Sequence, residues 1–283
     1  MAKLKLLFMG SPIFAVPALA AAVLHPGVDV IGVVTQPDQP KGRGKQLAQT
    51  AVNSAAQEAG IPVHKPSSKK VLVRIVEETN PDLIVVVAYG RILPARITDN
   101  YPCVNIHGSL LPQYRGASPI HASLMNGDLL TGVTLIRMNE KMDEGDILLR
   151  VETSIFQEDS FQTLHDRLSS MGGDMLTAFL DAPDMFLRKA INQDSKSVSY
   201  CQKLQSEDTM LDAQKSASEN FGRIRAFSPL PGAYILESGK RIKIIEASLS
   251  DGVLMPTVVK PEGKGLMSYA DYKRGKGPIS FFE

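Results

Sequence analysis

The stretch PDLIVVVAYG, residues 81–90, constrains this chain more than any other, because Leu83 through Ala88 are apolar without a break. A strand with one wet face alternates apolar and polar residues. An unbroken run rich in β-branched residues is a strand covered on both faces. Such strands belong to parallel sheets with helices above and below, and the flanking sequence supplies both. LKLLFMG (4–10), DVIGVVTQ (29–36), IPVHKP (61–66) and CVNIHGS (103–109) read as further strands. SPIFAVPALAAAVLH (11–25), QTAVNSAAQEAG (49–60) and KVLVRIVEETN (70–80) have helical spacing between them. Ser11 is a candidate N-cap with Pro12 at the first helical position, and Pro17 kinks or delays that helix. The alternation predicts an α/β fold: a doubly wound, mostly parallel, Rossmann-like sheet.

The pattern continues with a helix over 118–128, two strands over 131–155 around an acidic turn, and one long amphipathic helix over 159–183, slackened at Gly172 and Gly173. Near Asp184 it changes. Residues 192–208 are polar and weakly periodic, as a linker is, and AYILE, KRIKIIEAS and GVLMPTVV read as short strands of a second, β-rich domain. The expected division is 1–184, a linker at 185–204, and 205–283, which a length of 283 residues accommodates.

Net charge is +1, which excludes a general polyanion binder and confines any basic surface to a local patch. Cys103 and Cys201 are far apart and lack zinc-ligand spacing, so they read as reduced thiols and no metal is expected. No apolar run reaches the roughly 18 residues of a membrane span. The apolar core at the N-terminus is too short for a signal peptide, so a cytoplasmic protein is expected.

Ligands of doubly wound sheets sit at the carboxyl ends of strands, where Asn105 and His107 fall two residues apart and therefore on one side. The downstream loop MNEKMDEGD (138–146) offers Asp143, Glu144 or Asp146 to the imidazole. A carboxylate orients a histidine, and an amide N–H can donate to an oxygen that becomes negative. No serine sits on a G-x-S-x-G turn, so the trio suits direct acyl transfer to an amine without a covalent intermediate. Gly10 alone does not make a dinucleotide fingerprint, and KGRGK (41–45) lacks phosphate-loop spacing. Lys41, Arg43 and Lys45 nevertheless alternate with Gly42 and Gly44 in a long loop able to fold onto a phosphate backbone. Ser109, Leu110, Leu111 and Pro112 could wall an apolar slot for a flat ring. His25, His64, His121 and His165 show no paired spacing and read as structural.

NIHGSLLPQYRGASPI together with MDEGDIL resembles the 10-formyltetrahydrofolate-dependent formyltransferase family. The similarity runs through LLFMGSPIFAVPAL, TQPDQPKGRGK, VVVAYGRILP and GVTLIRMNEKMDEGDIL. The resemblance implies that Asn105, His107 and Asp143 are catalytic. It implies that 10-formyltetrahydrofolate contacts Ser109, Leu110, Leu111 and Pro112, with its pterin against backbone near Ala88, Tyr89 and Gly90. The glycine-basic loop, Lys41 to Lys45, and the second domain are similar to those of members acting on initiator methionyl-tRNA, which implies that partner, a monomer and an OB-like tRNA-binding domain. After KIIEAS there is sequence for fewer strands than the family's barrel carries, and Ala213 stands where the family often has tryptophan, so a shortened barrel is expected.

Overall fold

The computed structural model describes residues 2–41 and 46–283. β1 (Leu4–Gly10) leads through a 3-10 turn at Ile13–Ala15 into α1 (Val16–Leu24). β2 (Val28–Val34) follows, then an antiparallel pair, β3 (Gln39–Lys41) and β4 (Gln46–Ala48). Next come α2 (Ala51–Glu58), β5 (Val63–His64), α3 (Lys69–Thr79) and β6 (Leu83–Val87). α4 (Ala95–Thr98), β7 (Cys103–His107), β8 (Arg115–Gly116) and α5 (Pro119–Met125) precede β9 (Leu130–Arg137), β10 (Ile147–Ser154) and α6 (Phe161–Asp181). The chain continues with α7 (Pro183–Arg188), β11 (Tyr200–Cys201) and α8 (Ala217–Phe227). It ends with β12 (Ala233–Glu237), β13 (Lys240–Ser250), β14 (Val253–Pro261), β15 (Met267–Ser268) and α9 (Tyr269–Lys276).

The main sheet has the order β10-β9-β7-β6-β1-β2-β5. Strands β5, β2, β1, β6 and β7 are parallel, and β9 runs antiparallel to β7. All five residues of β6 are buried, as the unbroken apolar run requires. From β1 the chain winds outward to β2 and β5, then returns to β6 on the other side of β1, so the winding reverses between β1 and β6. That reversal opens a crevice beyond the strands' carboxyl ends. At the end of β1, a Cβ on Gly10 would lie 2.9 Å from both Val87 O and Ala15 Cβ, so only glycine lets β1, β6 and the 3-10 turn close up there.

Contacts group the chain into two compact units. The first comprises residues 1–115, 132–152 and 166–199, and the second comprises 116–131, 153–165 and 200–283. Segments 116–131 and 153–165 thus join the second unit, although sequence order places them inside 1–184. Within that unit α5 packs on α8. The approach is close: a Cβ on Gly222 would lie 2.6 Å from Leu124 O. The second unit carries an antiparallel sheet in the order β12-β13-β14-β15, with Ile235, Ile242, Ile244 and Val259 buried and α8 packed on β13 and β14. Among the described residues this sheet is an open meander, without a pairing of β15 to β12.

Several local expectations are corrected, and one is met. The first helix is delayed at Pro17, one of the two expected effects: it begins at Val16 with Pro17 in its first turn, where a missing N–H costs nothing. Ser11 does not cap it; its Oγ accepts from Gln36 N at 3.2 Å instead. α6 runs unbroken through Gly172 and Gly173. Those glycines serve close packing: their Cβ positions lie 3.2 Å from Ile106 Cγ2 and 3.0 Å from Pro17 O. Residues 269–276 form α9, capped by Ser268 Oγ, which accepts from Asp271 N at 3.0 Å. The S-x-x-D spacing was there to read. No helix among the described residues is long and apolar enough to cross a membrane.

Candidate active site

Asn105 and His107 lie on β7, opposite Ile136 and Thr134 of β9. Strand alternation sends both side chains to one face. The third group comes from the turn between β9 and β10. That turn is closed by Arg137 N donating to Asp146 O at 2.8 Å, and it holds Asp143 at φ 54°. Left-handed backbone is costly for a residue with a Cβ, and Ala88 (φ 47°) and Tyr114 (φ 58°) adopt it as well, at the end of β6 and beside β8.

The geometry is compact. His107 Nδ1 lies 3.6 Å from Asp143 Oδ1, and Asn105 Nδ2 donates to the same oxygen at 3.5 Å. His107 Nε2 lies 2.8 Å from Tyr114 O. A carbonyl only accepts, so Nε2 carries a proton in this arrangement. The imidazole is 7% exposed, held between that carbonyl and the carboxylate. Of the three candidates Asp143, Glu144 and Asp146, Asp143 is the one that faces the ring. Glu144 pairs with Arg115 at 3.3 Å, and Asp146 accepts from Asn192 Nδ2 at 2.5 Å.

The SLLP residues divide. Ser109 and Leu111 are fully buried, and Ser109 Oγ donates to Gln113 O at 2.6 Å while Thr134 Oγ1 donates to Ser109 O at 2.6 Å. Pro112 is buried too, leaving Leu110, half-buried, as the member whose side chain reaches the surface. At the end of β6, Ala88 and Gly90 are exposed, whereas the Tyr89 ring is buried and its carbonyl accepts from Gln36 Nε2 at 2.8 Å. Burial pushes the Tyr89 phenol up, partly opposed by Arg91. Burial also raises the Cys103 thiol to about 12, so it is inert beside the site. Gly42, Arg43, Gly44 and Lys45 lie outside the described residues, as does the side chain of Lys41. Among the described residues, no group of three or more His, Cys, Asp or Glu side chains could hold a metal ion.

Sequence reasoning missed the scaffold of this site. Residues 185–199 do not simply leave the first unit. Ser199 Oγ accepts from Tyr114 N at 2.9 Å, and Ser199 O accepts from Arg115 N at 2.9 Å. Gln193 Nε2 donates to Asp143 O at 2.7 Å and Gly145 O at 2.8 Å, and Gln193 Oε1 accepts from Arg115 Nε at 3.0 Å. A polar, aperiodic stretch carries no local signal of such contacts.

Comparison with known proteins finds formyltransferases. The formyl transferase family matches residues 4–180, and its C-terminal domain matches residues 203–253. A methionyl-tRNA formyltransferase of Syntrophus aciditrophicus is 45% identical over 252 residues, covering 88% of this chain and 80% of that protein. One from Geobacter metallireducens is 40% identical over 268 residues, covering 93% and 86%. An N-formyltransferase from Helicobacter canadensis, solved with folinic acid and dTDP-3-aminofucose, shares the fold at TM-score 0.67 and 20% identity, covering 89% of each chain. HypX of Aquifex aeolicus, solved with tetrahydrofolic acid, superposes at TM-score 0.63 and 16% identity, covering 98% of this chain and 48% of that one.

Proposed function

From its membership of the formyl transferase family, to which the chain belongs, we propose that it transfers the formyl group of 10-formyltetrahydrofolate to the α-amino group of methionyl-initiator tRNA. The observation that carries the chemistry is the convergence of Asn105 and His107 on one carboxylate oxygen, Asp143 Oδ1, at 3.5 and 3.6 Å. The relatives that are methionyl-tRNA formyltransferases carry the choice of acceptor.

The neutral amine attacks the formyl carbon, a C–N bond forms, and the formyl oxygen becomes an oxyanion. The Asn105 amide donates to that oxygen, and His107, protonated in the transition state and held by Asp143 and the Tyr114 carbonyl, stabilises its charge in a preorganised site. Asp143 holds the imidazole and, through a water, takes the proton released by the amine. Collapse breaks the bond to N10 of the folate, which leaves with a proton, so one N–H is lost and one gained. The folate fits what the strand ends offer: exposed backbone at Ala88 and Gly90 for a heterocycle's polar edge, and Leu110 for an apolar face. No step needs a metal.

Lys41, Arg43 and Lys45, with Gly42 and Gly44, are assigned to the acceptor end of the tRNA. The second unit supports an RNA partner in its own right. Tyr234, Lys243 and Lys260 face one another across β12, β13 and β14, with the Arg241 guanidinium 3.9 Å over the Tyr234 ring. A cationic and aromatic sheet face suits a phosphate backbone and stacked bases. The protein acts as a monomer in the cytoplasm on this reading. Purified protein, 10-formyltetrahydrofolate, and initiator or elongator methionyl-tRNA test it: formylation of the initiator alone is expected. Formylation of an amino sugar instead, or release of free formate, would overturn the assignment.

A further inference from the structure

We infer that Gln193 is a positioning residue for the transfer reaction, holding the Asp143 turn in the one register that aims its carboxylate at His107. The inference rests on the catalytic reading of Asn105, His107 and Asp143. It comes from a part of the chain that sequence order assigns to a linker.

One amide spans three attachments. Gln193 Nε2 donates to Asp143 O at 2.7 Å and to Gly145 O at 2.8 Å, so its two N–H groups hold the backbone on both sides of Glu144. Its Oε1 accepts from Arg115 Nε at 3.0 Å. Arg115 is 7% exposed and makes a second attachment to the same turn through Glu144 at 3.3 Å. Arg115 also follows Tyr114, whose carbonyl takes the other ring nitrogen of His107. Both flanks of the imidazole are thereby tied to one amide: Asp143 directly, and Tyr114 through Arg115.

The turn needs such a hold. Asp143 sits at φ 54°, a conformation that a residue with a Cβ leaves readily unless its surroundings over-determine it. Asp143 Oδ1 is already at the outer limit of contact, 3.6 Å from His107 Nδ1 and 3.5 Å from Asn105 Nδ2. A drift of the turn outward by even one ångström ends both contacts. Neither oxygen that Gln193 holds belongs to a β9–β10 ladder partner, so the sheet does not hold them in its place. Glutamine fits by its length and its chemistry. Its amide presents two donors to the two carbonyls and one acceptor to the guanidinium.

Three variants and one cycle decide the matter. Gln193→Met keeps the length and removes the hydrogen bonds; kcat with initiator methionyl-tRNA is expected to fall about 30-fold, the equivalent of two neutral hydrogen bonds. KM for both substrates should stay within about twofold, because the loss is confined to the transition state. Gln193→Glu, equal in size, should be worse than methionine, because it turns a carboxylate oxygen toward two carbonyls. Gln193→Asn is one methylene shorter and should lose at least about tenfold on the same scale, which keeps the test open if one variant does not fold. In an Asp143→Asn background, Gln193→Met should cost no more than about twofold, since residues acting through one group are not additive. Unchanged kcat in Gln193→Met, a loss that appears in KM, or the same 30-fold loss in both backgrounds would overturn the inference. Normal turnover of Asp143→Asn alone would instead overturn the catalytic reading beneath it.

Discussion

Replacing Gly145 with alanine should cripple turnover while leaving most of the fold in place. A Cβ at this position would lie 1.6 Å from Arg137 O and 2.8 Å from Arg137 C, where ordinary contact begins at 3.4 Å. Backbone, not a movable side-chain tip, is in the way, so the turn must open by about 1.8 Å. The Arg137 N to Asp146 O bond at 2.8 Å and the two Gln193 donations at 2.7 and 2.8 Å cannot survive that opening. Three lost hydrogen bonds at about 1 kcal/mol each set a stability cost of roughly 3 kcal/mol, read as a fall in Tm of roughly 6–12 °C for a chain of this size. The catalytic cost is larger. Asp143 would move by more than an ångström from a carboxylate–imidazole separation of 3.6 Å, and a displacement of about 1 Å costs about 10²-fold in rate. The assay is single-turnover formylation of initiator methionyl-tRNA, with thermal unfolding in parallel. Gly265→Ala is the control, since nothing lies within 4 Å of a Cβ there. A Gly145→Ala enzyme that turns over within about threefold of the parent, against the expected 10²-fold loss, would refute the claim that the closed turn positions Asp143.

Asn105→Ala should lower kcat by about 10²–10³, the usual cost of losing one oxyanion donor; near-normal turnover would remove Asn105 from that role. Arg43→Ala should raise KM for the tRNA and steepen less with salt, while leaving formylation of a small amine unchanged; equal loss with both acceptors would refute the loop assignment. His121 stacks on Phe161 at 4.0 Å in the second unit, and burial, with His165 nearby, lowers its pKa from 6.5 to about 4. The unfolded chain therefore takes up a proton that the folded one refuses. Stability is unaffected above about pH 6.5 and is lost as pH falls from there toward 4, by at most about 3 kcal/mol. Comparing unfolding at pH 7 and pH 4.5 for the parent and His121→Gln checks this, because the variant should lose less; equal losses would refute it.

Much of the catalytic strand was legible in the sequence for a simple reason. Periodicity records burial along a single element. Leu83–Val87 announced a strand covered on both faces, and the two-residue spacing of Asn105 and His107 placed both on one side at its carboxyl end. Where local pattern misled, tertiary packing had overridden it. Ser11 gave up the cap for Gln36, Gly172 and Gly173 made room for Pro17 and Ile106 rather than slack, and Ser109 and Leu111 went inside.

The sequence by itself determined the parallel sheet, the family and the strand that carries the chemistry, because each is written in residues close together along the chain. Of Asp143, Glu144 and Asp146, strand pattern alone left the choice open and the resemblance pointed to Asp143; only the tertiary structure set Glu144 on Arg115 and Asp146 on Asn192, and packed α5 with α8. It also brought Gln193 back across 50 positions to hold the Asp143 turn. Contacts of that kind depend on where two distant backbones come to rest, and a single amide or glycine leaves no periodic trace of its partner.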